Sequence, residues 1–246
     1  MELELKNKHR KDGEVTEHED YKNNHIYLIR GKNHKELGFK SVTSFISELT
    51  EHFNPNNILD IWERNNDIRL KSKSREEWIQ EWEDKGKQAS AEGTLLHKNI
   101  ELWFNNETSE VYSEDFTTFL KFIKNKELDF EAYRTEMSVY SDELELVGNI
   151  DFIGKTSKGE YIILDWKRSK EIESKNYGKY MFYPLSFVPD SSKSKYALQL
   201  SIYKYILEKE YGMKISKLYN VRIYNGEYQI IEQEYLKEAL ELLFNN

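Results

Sequence analysis

Three charged residues lie on two adjacent predicted strands in the stretch "GNIDFIGKTSKGEYIILDWKRSK", residues 148–170. Asp165 and Lys167 are two positions apart, so their side chains project from the same face of a strand, opposite that of Trp166. Asp151 lies on the preceding strand, across a Ser-Lys-Gly turn. A carboxylate removed from water costs several kcal/mol unless it is paired or metal-bound. The three charges therefore either lie on a solvated sheet face or together hold a ligand.

These residue types suit metal-assisted hydrolysis of a phosphodiester bond. Two carboxylates held close together repel and raise each other's pKa unless a cation lies between them. Mg²⁺ and Mn²⁺, which prefer hard oxygen ligands, would resolve that conflict. Lys167 could then orient or deprotonate a water molecule, or neutralise a phosphate. An acid two positions before a lysine is nevertheless common by chance, and the chain also has it at Glu4-Leu5-Lys6 and Glu83-Asp84-Lys85.

The hydrophobic pattern predicts helices first and strands later. The period is close to 3.6 up to about residue 127 and changes to 2 from about residue 130. The predicted helices cover about 41–53, 58–70, 74–86, 86–105, 112–127, 195–211 and 234–244. A three-stranded meander ends near Lys167, and a hairpin with an Asn225-Gly226 turn follows the helix at 195–211. This order indicates an α+β or α/β fold around one central sheet.

Composition bounds the class of protein. The 246 residues suffice for one large domain or a domain with an appended lobe, and 14% aromatic residues argue against disorder. The net charge of −8 counts at first against nucleic-acid binding, although a basic groove can lie on an acidic body. The absence of cysteine excludes cysteine-ligated zinc and iron–sulfur clusters. With no long apolar run and no signal-peptide pattern, we expect an intracellular protein without membrane association.

Two polar segments lack a clear secondary-structure pattern. Residues 1–40 are predicted to be a loosely packed arm with one short strand. Residues 168–195 alternate lysines with aromatic residues, among them Tyr177, Tyr180 and Lys195. These lysines could follow a phosphate backbone while the aromatic rings stack on bases. The alternative is a solvated loop whose tyrosines fold back on the sheet.

The segments Gly148-Asn-Ile-Asp151 and Ile-Leu-Asp165-Trp-Lys167 resemble the core signature of the PD-(D/E)XK nuclease superfamily, specifically its RecB-like exonuclease branch. Three further elements occur in the order that this branch has. "GTLLHKNIE", residues 93–101, resembles its upstream helix motif, Glu136 matches the acid on its first core strand, and Gln199 and Tyr203 match its Gln-x-x-x-Tyr motif. Together the motifs cover about residues 86–210. The flanking segments "SVT…FNPNN" and Tyr196-Ala-Leu-Gln-Leu are also similar to nuclease-like proteins of phages and large DNA viruses.

The resemblance implies a fold and a set of site residues. The fold would be α/β, with a restriction-endonuclease-like core of a central mixed sheet flanked by helices in residues 86–246. Residues 1–85 would form an amino-terminal arm and helical lobe that could arch over the site. Lys167 would be the catalytic lysine. The metal ligands for Mg²⁺ or Mn²⁺ would be His97, Asp151, Asp165 and the backbone carbonyl of Trp166.

The resemblance also implies roles for residues around these ligands. Gln199 and Tyr203 share a helix face, because they are four residues apart, and would contact substrate or position the site. Glu101 would orient Lys167 or His97, or be solvated. Glu136 would lie either at the edge of the active site or on a surface strand. Tyr177, Tyr180 and Lys195 would bind substrate, and no iron–sulfur cluster is expected because the chain has no cysteine.

The expected activity is that of a divalent-metal-dependent DNA exonuclease acting on single-stranded DNA or DNA ends, in replication, recombination or repair. The sequence has no Gly-x-x-x-x-Gly-Lys-Ser/Thr motif, so any unwinding would come from a partner such as a helicase or recombination protein. The alternatives are a structure-specific endonuclease of the same fold, a catalytically inactive DNA-binding module, and an RNA nuclease.

Overall fold

The computed structural model describes residues 2–19, 25–108 and 112–244, with the side chains of Glu19 and His25 left out. Within these ranges the α-helices are α1 (Glu2–Lys6), α2 (Val42–Glu48), α3 (Pro55–Arg64), α4 (Arg75–Phe104), α5 (Glu114–Asn125), α6 (Ser192–Glu210) and α7 (Lys237–Phe244). The strands are β1 (Val15–Glu19), β2 (His25–Ile29), β3 (Lys32–Asn33), β4 (Lys40–Ser41), β5 (Glu131–Ser141), β6 (Leu146–Lys155), β7 (Tyr161–Lys167), β8 (Ile215–Tyr224) and β9 (Glu227–Glu232). A short 3-10 helix covers Ile68–Lys71.

A mixed six-stranded sheet forms the centre of the fold. Strands β5, β6, β7, β8 and β9 lie side by side in that order, and β4 adds to the start of β6. The β7–β8 and β4–β6 pairs are parallel, whereas the other pairs are antiparallel. The parallel β7–β8 pair requires a crossover, which α6 supplies. The expected α/β class with a central mixed sheet flanked by helices is confirmed.

Two hydrophobic clusters cover the two faces of this sheet. On one face, Leu198, Ile202 and Ile206 of α6 pack with α2, α7 and sheet residues such as Ile163. On the other face, α4 and α5 pack against β6, β7 and β8, with Trp166 among the buried residues. Because side chains alternate along β7, Trp166 faces the α4–α5 layer while its neighbours Asp165 and Lys167 face the α6 layer.

One edge of β6 is shared by two strands. Strand β4 pairs with Leu146 and Val147 at the start of β6, and β7 pairs with residues 152–155 at the end of β6. Strand β5 pairs along the whole of the opposite edge of β6. Residues 148–151 therefore lie at an opening between β4 and β7. At this opening, the ends of β4 and β7 lie close to the face of α6 that packs on Gly148.

The amino-terminal residues are docked on the core, and the prediction of a loosely packed arm is wrong. Strands β1, β2 and β3 form an antiparallel sheet, and its Val15, Tyr27 and Ile29 share a hydrophobic cluster with Tyr140 of β5 and Val147 of β6. Asp12 and Arg134 of β5 add a buried ion pair at 3.0 Å. The arm is held by contacts between residues far apart in sequence, which a local pattern cannot predict.

Helix α4 is one continuous helix of 30 residues, where the sequence pattern predicts two helices meeting at Gly86. It begins at a capping box formed by Ser74 and Glu77, and at 1.5 Å per residue it is about 45 Å long. The boundary expected between residues 85 and 86 lies inside this helix. Near its start, Trp78 and Trp82 pack against Trp62 of α3 with ring centroids 5.3 and 5.5 Å apart, so these tryptophans are packing anchors between helices.

The amino-terminal region contains a sheet as well as the helices expected of it.

The turn at Asn225 and Gly226 is confirmed, and both residues have the positive φ that a two-residue hairpin turn requires (49° and 74°). Between Lys167 and α6, the described backbone has one isolated bridge, between Tyr180 and Pro189. None of the helices described here is long and apolar enough to cross a membrane.

Candidate functional site

Asp151 and Asp165 lie where β6 and β7 separate. The last antiparallel pair in this direction is Phe152 with Leu164, so the next residue on each strand is an aspartate. Instead of continuing the ladder, the Asp151 carboxylate accepts a hydrogen bond of 2.8 Å from the backbone N–H of Trp166. A side chain thus satisfies a backbone group that the separating strands would leave unpaired. The separation makes room for the other side chains of the site.

His97 reaches this point from α4. Its neighbours Leu96 and Ile100 are buried in the α4–α5 layer and fix the helix against the sheet. The imidazole Nε2 lies 3.0 Å from the backbone carbonyl oxygen of Trp166, and Nδ1 lies 3.6 Å from a carboxylate oxygen of Asp151 and 3.8 Å from one of Glu136. His97, Glu136 and Asp151 each offer a ligand atom, and these atoms lie within 4.8 Å of one another.

Glu136 occupies a strained position in β5. Its φ is 44°, although its neighbours Thr135 and Met137 pair regularly with β6. A left-handed conformation of a non-glycine residue within a strand costs about 1–3 kcal/mol, and such strain is concentrated at functional sites. Asn149 of β6 donates a hydrogen bond of 2.7 Å to the Glu136 carboxylate and fixes its orientation. Glu136 therefore belongs to the cluster and is not a residue of the open strand surface.

Asp165 and Lys167 form a buried ion pair. The Lys167 ammonium lies 2.8 Å from Oδ2 and 3.0 Å from Oδ1 of Asp165, which is only 3% exposed. Asn220 of β8 donates a hydrogen bond of 2.7 Å to the same carboxylate. The ring of Tyr196 on α6 lies over the Lys167 ammonium, with its centroid 4.6 Å from Nζ. Both ends of the ion pair are thus held by neighbouring elements.

Burial and mutual charge determine the protonation of the cluster. Burial raises the pKa of Asp165 to about 6, although the Lys167 ammonium opposes that change. Burial also raises the pKa of Asp151, and the nearby Glu136 adds to the effect while His97 opposes it. For His97, burial favours the neutral ring, but the carboxylates of Asp151 and Glu136 outweigh it and raise the pKa to about 9. The carboxylates therefore attract positive charge at this place.

Gln199 and Tyr203 cover the site from α6. Both are buried, and the Tyr203 ring packs so closely on Gly148 of β6 that a Cβ there would lie 2.7 Å from the Tyr203 hydroxyl oxygen. Burial raises the pKa of Tyr203 and keeps the phenol neutral, and a hydrogen bond with Gln199 opposes the rise. Only glycine at position 148 leaves room for this contact. The shared helix face that the sequence predicts for Gln199 and Tyr203 therefore points to the carboxylate cluster.

A cavity of about 700 Å³ opens from the cluster. One wall is formed by β1 and Tyr27 of β2, and another by α4 at Gly93, Thr94 and His97. Glu136, Asp151, Gln199 and Tyr203 also line it. Its volume lies within the range of about 300–1,000 Å³ that is usual for ligand pockets. The amino-terminal sheet thus takes part in enclosing the site.

The remaining predicted site residues lie further out. Glu101 lines the same cavity, and its carboxylate pairs with Lys98 at 2.8 Å, while Lys167 pairs with Asp165. Tyr177 is 81% exposed and Tyr180 is 52% exposed, so these tyrosines do not fold back on the sheet. Lys195 pairs with Asp190 at 2.8 Å. The structure brings none of Tyr177, Tyr180 and Lys195 to the cavity lining that it describes. Their role in substrate binding stays a prediction.

Three residues of the site were not found from the sequence. Tyr196 lies three residues before Gln199 on the same helix face, and that spacing was an available signal. Asn220 is a polar residue within the apolar strand "KLYNVRIY", which was a second signal. Gln233, which contacts Asn220, gives no local signal because it lies just after the end of β9. The register of β7 and β8 places Asn220 against Asp165, and Gln233 lies behind Asn220.

The donor set fits a hard divalent cation. Two carboxylates and one imidazole converge at His97, Glu136 and Asp151, and the Trp166 carbonyl lies 3.0 Å from the ring nitrogen of His97 that faces away from the carboxylates. Carboxylate and carbonyl oxygens are the ligands that suit Mg²⁺ and Mn²⁺. Asp165 lies next to this group on the separating strand. These residues could hold a metal ion, and a cation there would relieve the repulsion between the carboxylates.

Comparisons with known proteins give distant likenesses of fold. No protein-family model matches the chain, and no curated protein does. Among solved structures, it resembles a protein named "Putative exonuclease" from Eubacterium rectale, with 17% sequence identity and a TM-score of 0.38, covering 63% of this chain and 64% of that one. It also resembles SSO0001, with 20% identity and a TM-score of 0.29, covering 53% and 55% of the two chains. The chain thus spans less than two thirds of either structure, and these likenesses assign no activity.

Proposed function

We propose that this protein is a divalent-metal-dependent DNA exonuclease that hydrolyses phosphodiester bonds at single-stranded DNA or at DNA ends. One observation carries the proposal. His97, Glu136 and Asp151 converge where β6 and β7 separate, directly beside the Asp165–Lys167 ion pair. A binding module has no need of three carboxylates gathered around one lysine, with Asp165 buried and Glu136 and Asp151 partly buried, because each carboxylate costs free energy when it is removed from water. The resemblance of the sequence to the RecB-like branch supports the same conclusion.

The residues of the cluster divide into two groups by role. His97, Asp151, Asp165 and the Trp166 carbonyl, with Glu136 beside them, would hold the metal. When bound there, it would supply Lewis-acid polarisation of the phosphate and a water molecule of lowered pKa. Lys167, the catalytic lysine, places its ammonium where it neutralises a phosphate oxygen or orients the attacking water. Asp165 orients Lys167 through the ion pair at 2.8 Å.

The cavity supports a strand end as the substrate. A cavity of about 700 Å³ has the size usual for small-ligand sites, which favours an unpaired strand end over a length of double helix as its occupant. Gln199 and Tyr203 line it and would contact or align the strand at the scissile bond. The exposed Tyr177 and Tyr180, with the lysines of the same segment, would bind the strand outside the cavity. A helicase or recombination protein would supply the opened ends during replication, recombination or repair.

The experiment is cleavage of end-labelled single-stranded DNA, blunt duplex DNA and circular DNA with Mg²⁺, with Mn²⁺ and with EDTA. Lys167→Ala serves as the matched variant. We expect metal-dependent loss of linear DNA, with circles intact and the variant inactive. Cleaved circles would instead indicate a structure-specific endonuclease. Cleavage of RNA alone would indicate an RNA nuclease, and no cleavage of any nucleic acid would leave the inactive binding module as the function.

A further inference from the structure

A chain of buried side-chain hydrogen bonds leads from the end of β9 to Asp165. In the parallel register of β7 and β8, Asn220 lies directly beside Asp165. Asn220 donates a hydrogen bond of 2.7 Å to Asp165 Oδ2, and Gln233 donates one of 2.7 Å to Asn220 Oδ1. Asn220 is fully buried and Gln233 is only 5% exposed. The two amides therefore form a relay that ends on a carboxylate of the proposed site.

The chemistry of the groups fixes the direction of this relay. An ionised carboxylate only accepts hydrogen bonds, so Asn220 must present its NH₂ group to Asp165. The carbonyl oxygen of Asn220 then points away from Asp165, and it requires a donor. Gln233 supplies that donor with its own NH₂ group. A reversal of either amide would place two acceptor oxygens in contact.

The relay leaves one atom without a partner. The Gln233 Oε1 atom is buried, and no hydrogen-bond partner for it is present in the part of the chain that the structure describes. An unpaired buried acceptor is unfavourable, and an apolar side chain of the same size would avoid that cost. If the position served only to fill the core, an apolar residue would therefore serve it better. The amide at position 233 is explained by the hydrogen bond that it donates to the Asn220 carbonyl.

The relay reaches Lys167 through Asp165. The Asp165 carboxylate accepts from both Asn220 and the Lys167 ammonium on Oδ2, at 2.7 and 2.8 Å. Rotation of the carboxylate would therefore move the partner of Lys167. On the other side, the Tyr196 ring limits where the ammonium can lie.

We propose that Asn220 and Gln233 are positioning residues that hold the Asp165 carboxylate, and through it the Lys167 ammonium, in the orientation required at the site. This inference rests on the proposed function, since it assigns these residues to the same reaction. Residues that orient metal ligands from behind them affect metal affinity and turnover by about 10- to 100-fold when they are changed. The relay thus extends the site across two strands to the far side of β8.

The test compares two substitutions at Gln233. Gln233→Met keeps the length of the side chain and removes both the donor and the unpaired acceptor. Gln233→Glu places an acceptor against the Asn220 carbonyl and forces that amide to turn. Ser201→Ala is the matched control, because it removes a buried hydroxyl that accepts from the backbone N–H of Leu236 at 3.0 Å and lies outside the relay. For each protein, kcat, KM, Tm and the Mn²⁺ affinity without DNA are measured.

We expect Gln233→Met to lower kcat and Mn²⁺ affinity by about 10-fold, with KM within about twofold. Tm should fall modestly, because the buried Asn220 carbonyl loses its donor, although the unpaired acceptor of Gln233 is removed as well. Gln233→Glu should lower both quantities further, and Ser201→Ala should lower Tm with kcat unchanged. Wild-type kcat and Mn²⁺ affinity in Gln233→Met would overturn the relay while the proposed function stands. A loss of kcat and Mn²⁺ affinity in Ser201→Ala as large as that in Gln233→Met would overturn it as well, because the loss would then follow stability alone. If the wild-type protein cleaves nothing, the proposed function fails. The Mn²⁺ affinity of Gln233→Met then decides the relay, since an unchanged value overturns it.

Discussion

Two groups of buried charges lie on or near strand β5, and they differ in how the charges are balanced. The first is the ion pair between Asp12 and Arg134, in which one guanidinium meets one carboxylate at 3.0 Å. The second is the cluster that begins two residues later at Glu136, where three carboxylates face Lys167 and His97. The first pair is complete within the protein and attaches the amino-terminal residues to the core. The second has an excess of carboxylates, which is the condition for binding a cation.

This difference separates stability from function. Removal of one partner from a balanced buried pair leaves an uncompensated charge, so the free energy of unfolding falls. Removal of one carboxylate from a group with too many relieves repulsion in the metal-free protein and removes a ligand. We therefore expect substitutions in the Asp12–Arg134 pair to reduce mainly stability, and substitutions in the carboxylate cluster to reduce mainly activity.

The largest effect is expected for Asp151→Asn. The asparagine keeps an oxygen that accepts from the Trp166 N–H, but it lacks the charge that the metal requires. We expect kcat/KM on linear DNA to fall by at least about 100-fold, because metal polarisation contributes several kcal/mol. The Tm in EDTA should be unchanged or higher. Near-wild-type activity in this variant would remove Asp151 from the site.

Arg134→Met tests the balanced pair. The unpaired Asp12 carboxylate should lower the free energy of unfolding by about 3–5 kcal/mol, measured by urea denaturation. The double variant Asp12→Leu, Arg134→Met should recover much of this loss, because no charge is left buried alone. At temperatures where the protein is folded, activity should fall far less than in Asp151→Asn. A single variant as stable as the wild type would contradict the role of the pair as an attachment.

Gly148→Ala disturbs the cluster by volume and leaves its charges unchanged. The new Cβ would lie 2.7 Å from the Tyr203 hydroxyl oxygen, so the ring must move. We expect a loss of about 1–3 kcal/mol in stability, together with reduced kcat. Gly86→Ala is the matched control, since a Cβ at that position in α4 meets nothing within 4 Å and should stabilise the helix by about 0.5–1 kcal/mol.

The smallest effect is expected outside both groups, at Tyr180. If its exposed ring stacks on a base, Tyr180→Ala should raise KM roughly fivefold, which corresponds to about 1 kcal/mol. Stability and kcat should stay the same because the side chain is 52% exposed. Tyr112→Ala, which removes an exposed tyrosine beside α5, should leave KM unchanged. Equal KM values in both variants would show that Tyr180 does not contact substrate.

The parts of the fold that local patterns determine could be predicted. The period-2 alternation and the Ser157-Lys158-Gly159 turn predicted β6 and β7. The Asn225-Gly226 dipeptide predicted the β8–β9 hairpin. The spacing of Gln199 and Tyr203 placed both on one face of α6. In each case residues within a few positions of one another determine the backbone.

Features that depend on distant contacts could not be predicted. The docking of the amino-terminal residues requires Asp12 to meet Arg134, which is 122 positions away. The role of Asn220 depends on the parallel register of β7 and β8, which the crossover through α6 sets. The position of Glu136 depends on a left-handed backbone conformation within a strand. Gly86 predicts a break in α4, but the flanking residues continue the helix through it.

Calorimetric titration of the metal-free protein with Mn²⁺, without DNA, tests the central claim that the carboxylate cluster is a metal site. We expect wild-type protein to bind Mn²⁺ and to be stabilised by about 2.7 kcal/mol at a concentration 100 times the Kd. His97→Ala and Asp151→Asn should lose this binding, whereas Arg134→Met should retain it. Absence of binding in the wild type, or equal binding by Asp151→Asn, would contradict the account.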